Sequence, residues 1–178
     1  MIKRLKESPI KRFLFTAGIL YTGWLLLYHL VIQKYTTWDY LLNSNIVYIS
    51  QQFFGLFSLA TSVIKESDHV VLLLDTGNFT GVWVGDECNG FKLFSIFSIF
   101  IMAFPGNIKT KLWFIPLGLV IIHLANVFRV MALVLINNHY PQYLDFNHLY
   151  TFTILVYAII FILWYIWAKK YAPNAKQD

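Results

Sequence analysis

Apolar residues run almost unbroken through four stretches of this chain, and polar residues gather between them. The stretches cover about residues 13–32, 91–104, 112–136 and 149–167. A membrane-crossing helix needs about 20 largely apolar residues, within a range of about 17–25. The first, third and fourth stretches meet that length. The second is short and stops at Pro105-Gly106, so it crosses only on a thin or tilted path. Residues 46–64 carry a different pattern. Ser50, Gln51, Gln52, Ser58, Thr61 and Ser62 recur every three or four positions, opposite Ile46, Ile49, Phe53, Phe57, Ala60 and Ile64. That spacing predicts an amphipathic helix lying on the membrane or on the bundle. Val70–Leu74 is a β-branched and apolar run, Asp75-Thr76-Gly77-Asn78 has turn chemistry, and residues 79–84 alternate. These predict a small β-hairpin. The expected fold is a single all-α integral membrane helical bundle over residues 1–178. It has about four transmembrane helices, an amphipathic extracytoplasmic helix and a hairpin.

Composition agrees with the pattern. The chain has 178 residues, 58% of them hydrophobic, and only 13% are charged. A membrane protein needs that much apolar surface because its lipid-facing sides are apolar too. The single cysteine excludes an intrachain disulfide, and it excludes paired-thiol redox chemistry unless a partner supplies the second thiol. Cysteine-rich zinc patterns, glycine-rich phosphate loops and nucleic-acid motifs are absent from the sequence, so no cofactor, no metal and no nucleic-acid partner is expected. Asn78-Phe79-Thr80 matches a glycosylation tripeptide, which is too common by chance to carry weight.

The net charge of +5 is distributed as topology. Lys3, Arg4, Lys6, Lys11 and Arg12 precede the first apolar stretch; no small-residue cleavage site follows it, which predicts a retained signal anchor. The positive-inside rule places the N-terminus, the Lys109-Thr110-Lys111 segment and the Lys169, Lys170 and Lys176 tail in the cytoplasm. Segment 34–90 must then begin and end outside. The outer heads of the second and fourth stretches carry Cys88 and His148. Arg129 falls about seven residues below the outer end of the third, roughly 10 Å deep. All three converge on the outer half of the membrane, although the charges that place them lie outside the motif.

Their chemistry is complementary. A thiolate is the strongest side-chain nucleophile, and a helix N-terminus favours it; Asp86 and Glu87 oppose it unless they face water. His148 can serve as general base or acid, and the planar fork of Arg129 can hold a developing oxyanion. Each residue also has a plain structural role. A lone cysteine packs as a small hydrophobe, an interfacial arginine snorkels, and a histidine at a span end meets headgroups. Those roles do not predict convergence. His123, Asn126 and Arg129 are spaced by three, so they share an arc that should face the bundle interior. Asn126 is placed to orient the Arg129 guanidinium, His123 reads as structural, and Asn147 reads as a cap of the last span. No ligand spacing supports a zinc site at Cys88 and His148, and His29, His69 and His139 have no evident partner.

Glu87-Cys88-Asn89-Gly90-Phe91, Asn126-Val127-Phe128-Arg129-Val130 and Asn147-His148 together resemble the exosortase/archaeosortase family, in a compact form similar to the exosortase F group. The resemblance covers roughly residues 84–152. It implies a membrane cysteine protease or transpeptidase of sortase-like type. Cys88 would be the nucleophile, Arg129 the stabilising cation and His148 the acid/base, with Asn126, Asn89 and Gly90 in support. It further implies exported substrates with a C-terminal membrane-helix sorting tail, cut at the outer face of a bacterial inner membrane. A non-catalytic scaffold or assembly partner in an export or envelope system is the alternative from another class. A redox partner working through a mixed disulfide is a third, disfavoured by the missing second cysteine.

Overall fold

The computed structural model describes residues 9–65, 69–75, 81–85 and 88–172. The expected turn at 76–78, the tripeptide at Asn78, and Asp86 and Glu87 lie outside them. The helices are α1 (Pro9–Leu27), α2 (Gln33–Tyr35), α3 (Trp38–Leu56), α4 (Phe91–Ala103), α5 (Ile108–His139), α6 (Leu144–Phe146) and α7 (Phe152–Ile166). The strands are β1 (Thr61–Lys65), β2 (Val70–Leu74) and β3 (Val82–Val84). A π-helical turn at Tyr28–Ile32 joins α1 to α2, and another at Asn147–Thr151 joins α6 to α7. Among the described residues, three helical runs are long and apolar enough to cross a membrane: Ile10–Tyr35, Ile108–His139 and Pro141–Tyr171. The fold is a membrane helical bundle with a small sheet.

α4 has 13 residues, about 20 Å of helix, and does not reach across a full hydrocarbon core of about 30 Å unaided. Its C-terminal end is closed by Lys111, whose Nζ donates to the carbonyls of Met102 and Phe104 at 2.8 and 2.7 Å. These are carbonyls a helix end leaves without intrahelical donors. α4 lies close on α5 because Gly118 offers no side chain: a Cβ there would stand 2.2 Å from the Phe97 ring.

The expected amphipathic helix is shorter at its C-terminal end and differently oriented. α3 stops at Leu56 in a Schellman closure. Ser58 takes a left-handed φ of 58°, and the amides of Ser58 and Leu59 return to the carbonyls of Gly55 and Phe54. Residues 61–64, read as the helix end, instead belong to β1, so the hairpin is a three-stranded antiparallel sheet of order β1-β2-β3. The buried stripe of α3 is Asn43, Ile46, Val47, Ser50 and Phe54, while Phe53 and Phe57 are exposed. Ser50 tolerates burial because its Oγ donates to the Ile46 carbonyl at 2.8 Å.

Two apolar cores result. Ile46, Val47 and Phe54 of α3 pack with Val70, Leu72, Val82 and Val84 of the sheet and with Val130, Leu133 and Val134 of α5. Phe97 and Ile101 of α4, Phe114 and Ile122 of α5, and Val156 and Ile160 of α7 form the second. α5 runs through both, with 32 residues or about 48 Å of axis. Cys88 belongs to the first core.

Candidate active site

The cysteine stands on a tight connection between sheet and helix. β3 ends at Val84, and the Cys88 amide donates to the Gly85 carbonyl at 2.8 Å. Gly90 then takes φ 76° as the N-cap of α4. A left-handed residue is costly for any side chain with a Cβ, so the glycine is a backbone requirement of this turn. Asn89, one residue before that cap, closes an Asx-turn, its Oδ1 accepting from the Phe91 amide at 2.8 Å. The thiol is thus set two residues ahead of a helix N-cap.

His148 arrives from the other side of the site, on the π-helical turn before α7. One extra residue in a helical turn redirects the side chains that follow, and such turns recur at functional sites. Thr153 holds the turn by donating from Oγ1 to the His148 carbonyl at 3.1 Å. His148 Nε2 lies 3.3 Å from Cys88 Sγ, across 60 residues of sequence. Asn147 is not a helix cap: its side chain donates to the Tyr143 carbonyl at 2.8 Å within a helical path that starts at Pro141.

α5 supplies Asn126 and Arg129, both buried. Asn126 does not orient the guanidinium. Its Nδ2 donates to the Cys88 carbonyl, while its Oδ1 and the Arg129 Nε are buried without a hydrogen-bond partner among the described residues. Arg129 is 7% exposed, and that exposure opens on a cavity of about 340 Å³ between α4 and α7. Gly90, Lys92, Leu93, His148 and Tyr157 share its lining. His123 lies deeper and ties α5 to α3 through Asn45 Oδ1 at 2.8 Å. His29 pairs with Gln33, His139 with the Leu135 carbonyl, and the His69 ring packs edge-on to Trp83. Among the described residues, no group of three or more His, Cys, Asp or Glu side chains is placed to hold a metal ion.

The structure therefore brings together Cys88 with its neighbours Asn89 and Gly90, Asn126, Arg129 and His148. A family model described as transmembrane exosortase matches residues 6–167 of this chain. The chain belongs to the transmembrane exosortase family. Searches of curated proteins and of solved structures find no match. Exosortase membership extends well beyond the stretch that carries the motifs, from before α1 to the end of α7. It supports a multi-pass membrane protein with a transpeptidase-type role.

Sequence reasoning missed one contributor to this candidate site. Asp39, in the first turn of α3, accepts a hydrogen bond from Asn89 Nδ2 and a second, at 3.3 Å, from the Tyr28 hydroxyl. The available signal was an acidic residue at a helix start. It went unread because the helix was taken to begin at Ile46 rather than Trp38.

Proposed function

We propose that this protein is a membrane cysteine transpeptidase or protease that cuts C-terminal sorting tails from exported proteins. It works at the outer face of a bacterial inner membrane. The observation that carries the reading is the 3.3 Å approach of Cys88 Sγ to His148 Nε2 beside a cavity that Arg129 also lines. A thiol paired with an imidazole, and a guanidinium that lines the same cavity as that imidazole, are the three groups acyl transfer requires.

In this mechanism His148 takes the thiol proton, and the thiolate adds to a backbone carbonyl at the outer end of the substrate's membrane helix. Arg129 balances the charge that develops on the carbonyl oxygen. The tetrahedral species collapses as the C–N bond breaks, and His148 returns its proton to the departing amine of the tail. A thioester to Cys88 remains. An amine acceptor or water then attacks it and frees the thiol, giving transfer or hydrolysis. The bilayer acts as the second partner by holding the tail helix beside α4 and α7.

The test is co-expression with an exported protein carrying a tail of motif, membrane helix and basic end. Cys88→Ser and Cys88→Ala should accumulate in the membrane as the parent does and leave the tail uncut. Processing at the parental rate by either variant sinks the proposal and favours a scaffold, which has no use for a thiol.

A further inference from the structure

The Cys88 loop is gripped from two sides. On one, Asn126 holds the Cys88 carbonyl. On the other, the fully buried Asn89 side chain has both amide ends committed. Its Nδ2 donates to Asp39 Oδ1, and its Oδ1 accepts from the Phe91 amide. The second oxygen of Asp39 accepts from Tyr28, which is 2% exposed and whose ring lies 5.8 Å from that of Phe91. One carboxylate thus joins the end of α1, the start of α3 and the loop of the thiol.

The chemistry of that contact is selective. A carboxamide has two orientations, and only one turns an acceptor towards the Phe91 N–H. An ionised carboxylate accepts and never donates, so Asp39 admits only the orientation with Nδ2 facing it. The flipped amide would set oxygen against carboxylate and N–H against N–H. Asn89 lies between Cys88 and Gly90, so its orientation fixes how the chain enters α4. That entry sets where Sγ stands relative to an imidazole carried by a different helix.

We infer that Asp39 is a positioning residue for the Cys88–His148 pair, acting through the Asn89 amide. The inference rests on the pairing used in the proposed mechanism. Its test reads the pairing directly and needs no substrate. The full-length protein in detergent micelles is alkylated with N-ethylmaleimide at pH 7, and each rate is compared with that of the same protein carrying His148→Ala. This ratio reports coupling of thiol to imidazole, and a simple change in thiol exposure cancels from it.

In the parent, His148→Ala changes the rate by roughly fivefold or more, within the range for side chains in contact. In Asp39→Ala the same substitution changes it by less than about twofold. Asn89→Asp sets two carboxylates face to face and also loses the dependence on His148. Combining Asp39→Asn with Asn89→Asp restores it, because an amide again donates to a carboxylate and position 89 still accepts from Phe91. Full His148 dependence in Asp39→Ala overturns the inference, as does a double variant no better than Asn89→Asp alone. Should Asp39→Ala fail to accumulate, the comparison of Asn89→Asp with the double variant decides. A parental rate indifferent to His148 is a distinct result: it removes the pairing and the catalytic reading, and the positioning role falls with them.

Discussion

Arg129 is the residue whose chemistry separates an enzyme from a scaffold. Anchoring at an interface asks only for a cation on a flexible stem, which lysine provides. Balancing an oxyanion asks for a planar fork at a fixed place, which lysine does not provide. Arg129→Lys should therefore accumulate normally and lose about 10²–10³ in the rate of tail cleavage, the usual effect of removing one oxyanion donor. Immunoblotting of precursor and product over time measures it, and near-parental cleavage would falsify the assigned role. Gly90 makes a second demand. A Cβ at Gly90 meets only ordinary contacts, so Gly90→Ala is strained by its φ of 76° alone. It should cost about 1–2 kcal/mol, seen as a lower thermal midpoint in micelles. Tail cleavage should fall further than that destabilisation explains, because Cys88 lies two residues away. Cys88, Arg129 and His148 were legible because a thiol, a charge and an imidazole stand out against apolar runs. Asp39 was not, because its partner Asn89 is 50 residues away and a surface-side acid has an ordinary reason to exist.

At the scale of elements, the long helices were readable and their ends were not. Apolar length announces α5 and the α7 run, since lipid demands it. The close of α3 is announced only by Ser58 in a conformation that glycine usually occupies, so the residue that ends the helix carries no mark of doing so. β1 was lost for the same reason, its alternation absorbed into a helical reading about two turns too long. The polar stripe of α3 was misassigned because Ser50 satisfies its own hydroxyl within the helix and then packs like a small apolar residue. The contact between α4 and α5 gives a sharp test. Gly118→Val places side-chain atoms in the space of the Phe97 ring and should destabilise the protein by about 1–3 kcal/mol, as overpacking does. Adding Phe97→Ala should recover part of the loss in thermal unfolding, a non-additivity expected only of residues in contact.

For the whole molecule, charge placement predicts a topology with both termini inside and segment 34–90 outside. Reporter fusions after Lys65 and after Lys109 should report outside and inside respectively. The same side for both would remove the convergence of Cys88, Arg129 and His148 on an outer face. Cys88 is 5% exposed, so its labelling from outside in spheroplasts should be faster with a small charged thiol reagent than with a bulky one.

The continuous length of α5 has one more consequence. Arg129 stands 17 residues beyond Leu112, where the apolar stretch begins, about 26 Å along a helix that also carries Pro116, and so most of the way across the hydrocarbon. On the proposed function, the reacting groups would be held at a set height above the inner interface, and α5 would serve as a ruler laid across the bilayer. The proposed substrate would then be read by the length of its tail helix as well as by its motif. Inserting four residues into that helix carries the parental bond about 6 Å past the thiol. Mass spectrometry of the released product should show cutting lost or moved by one helical turn, whereas four residues added after the helix should change nothing.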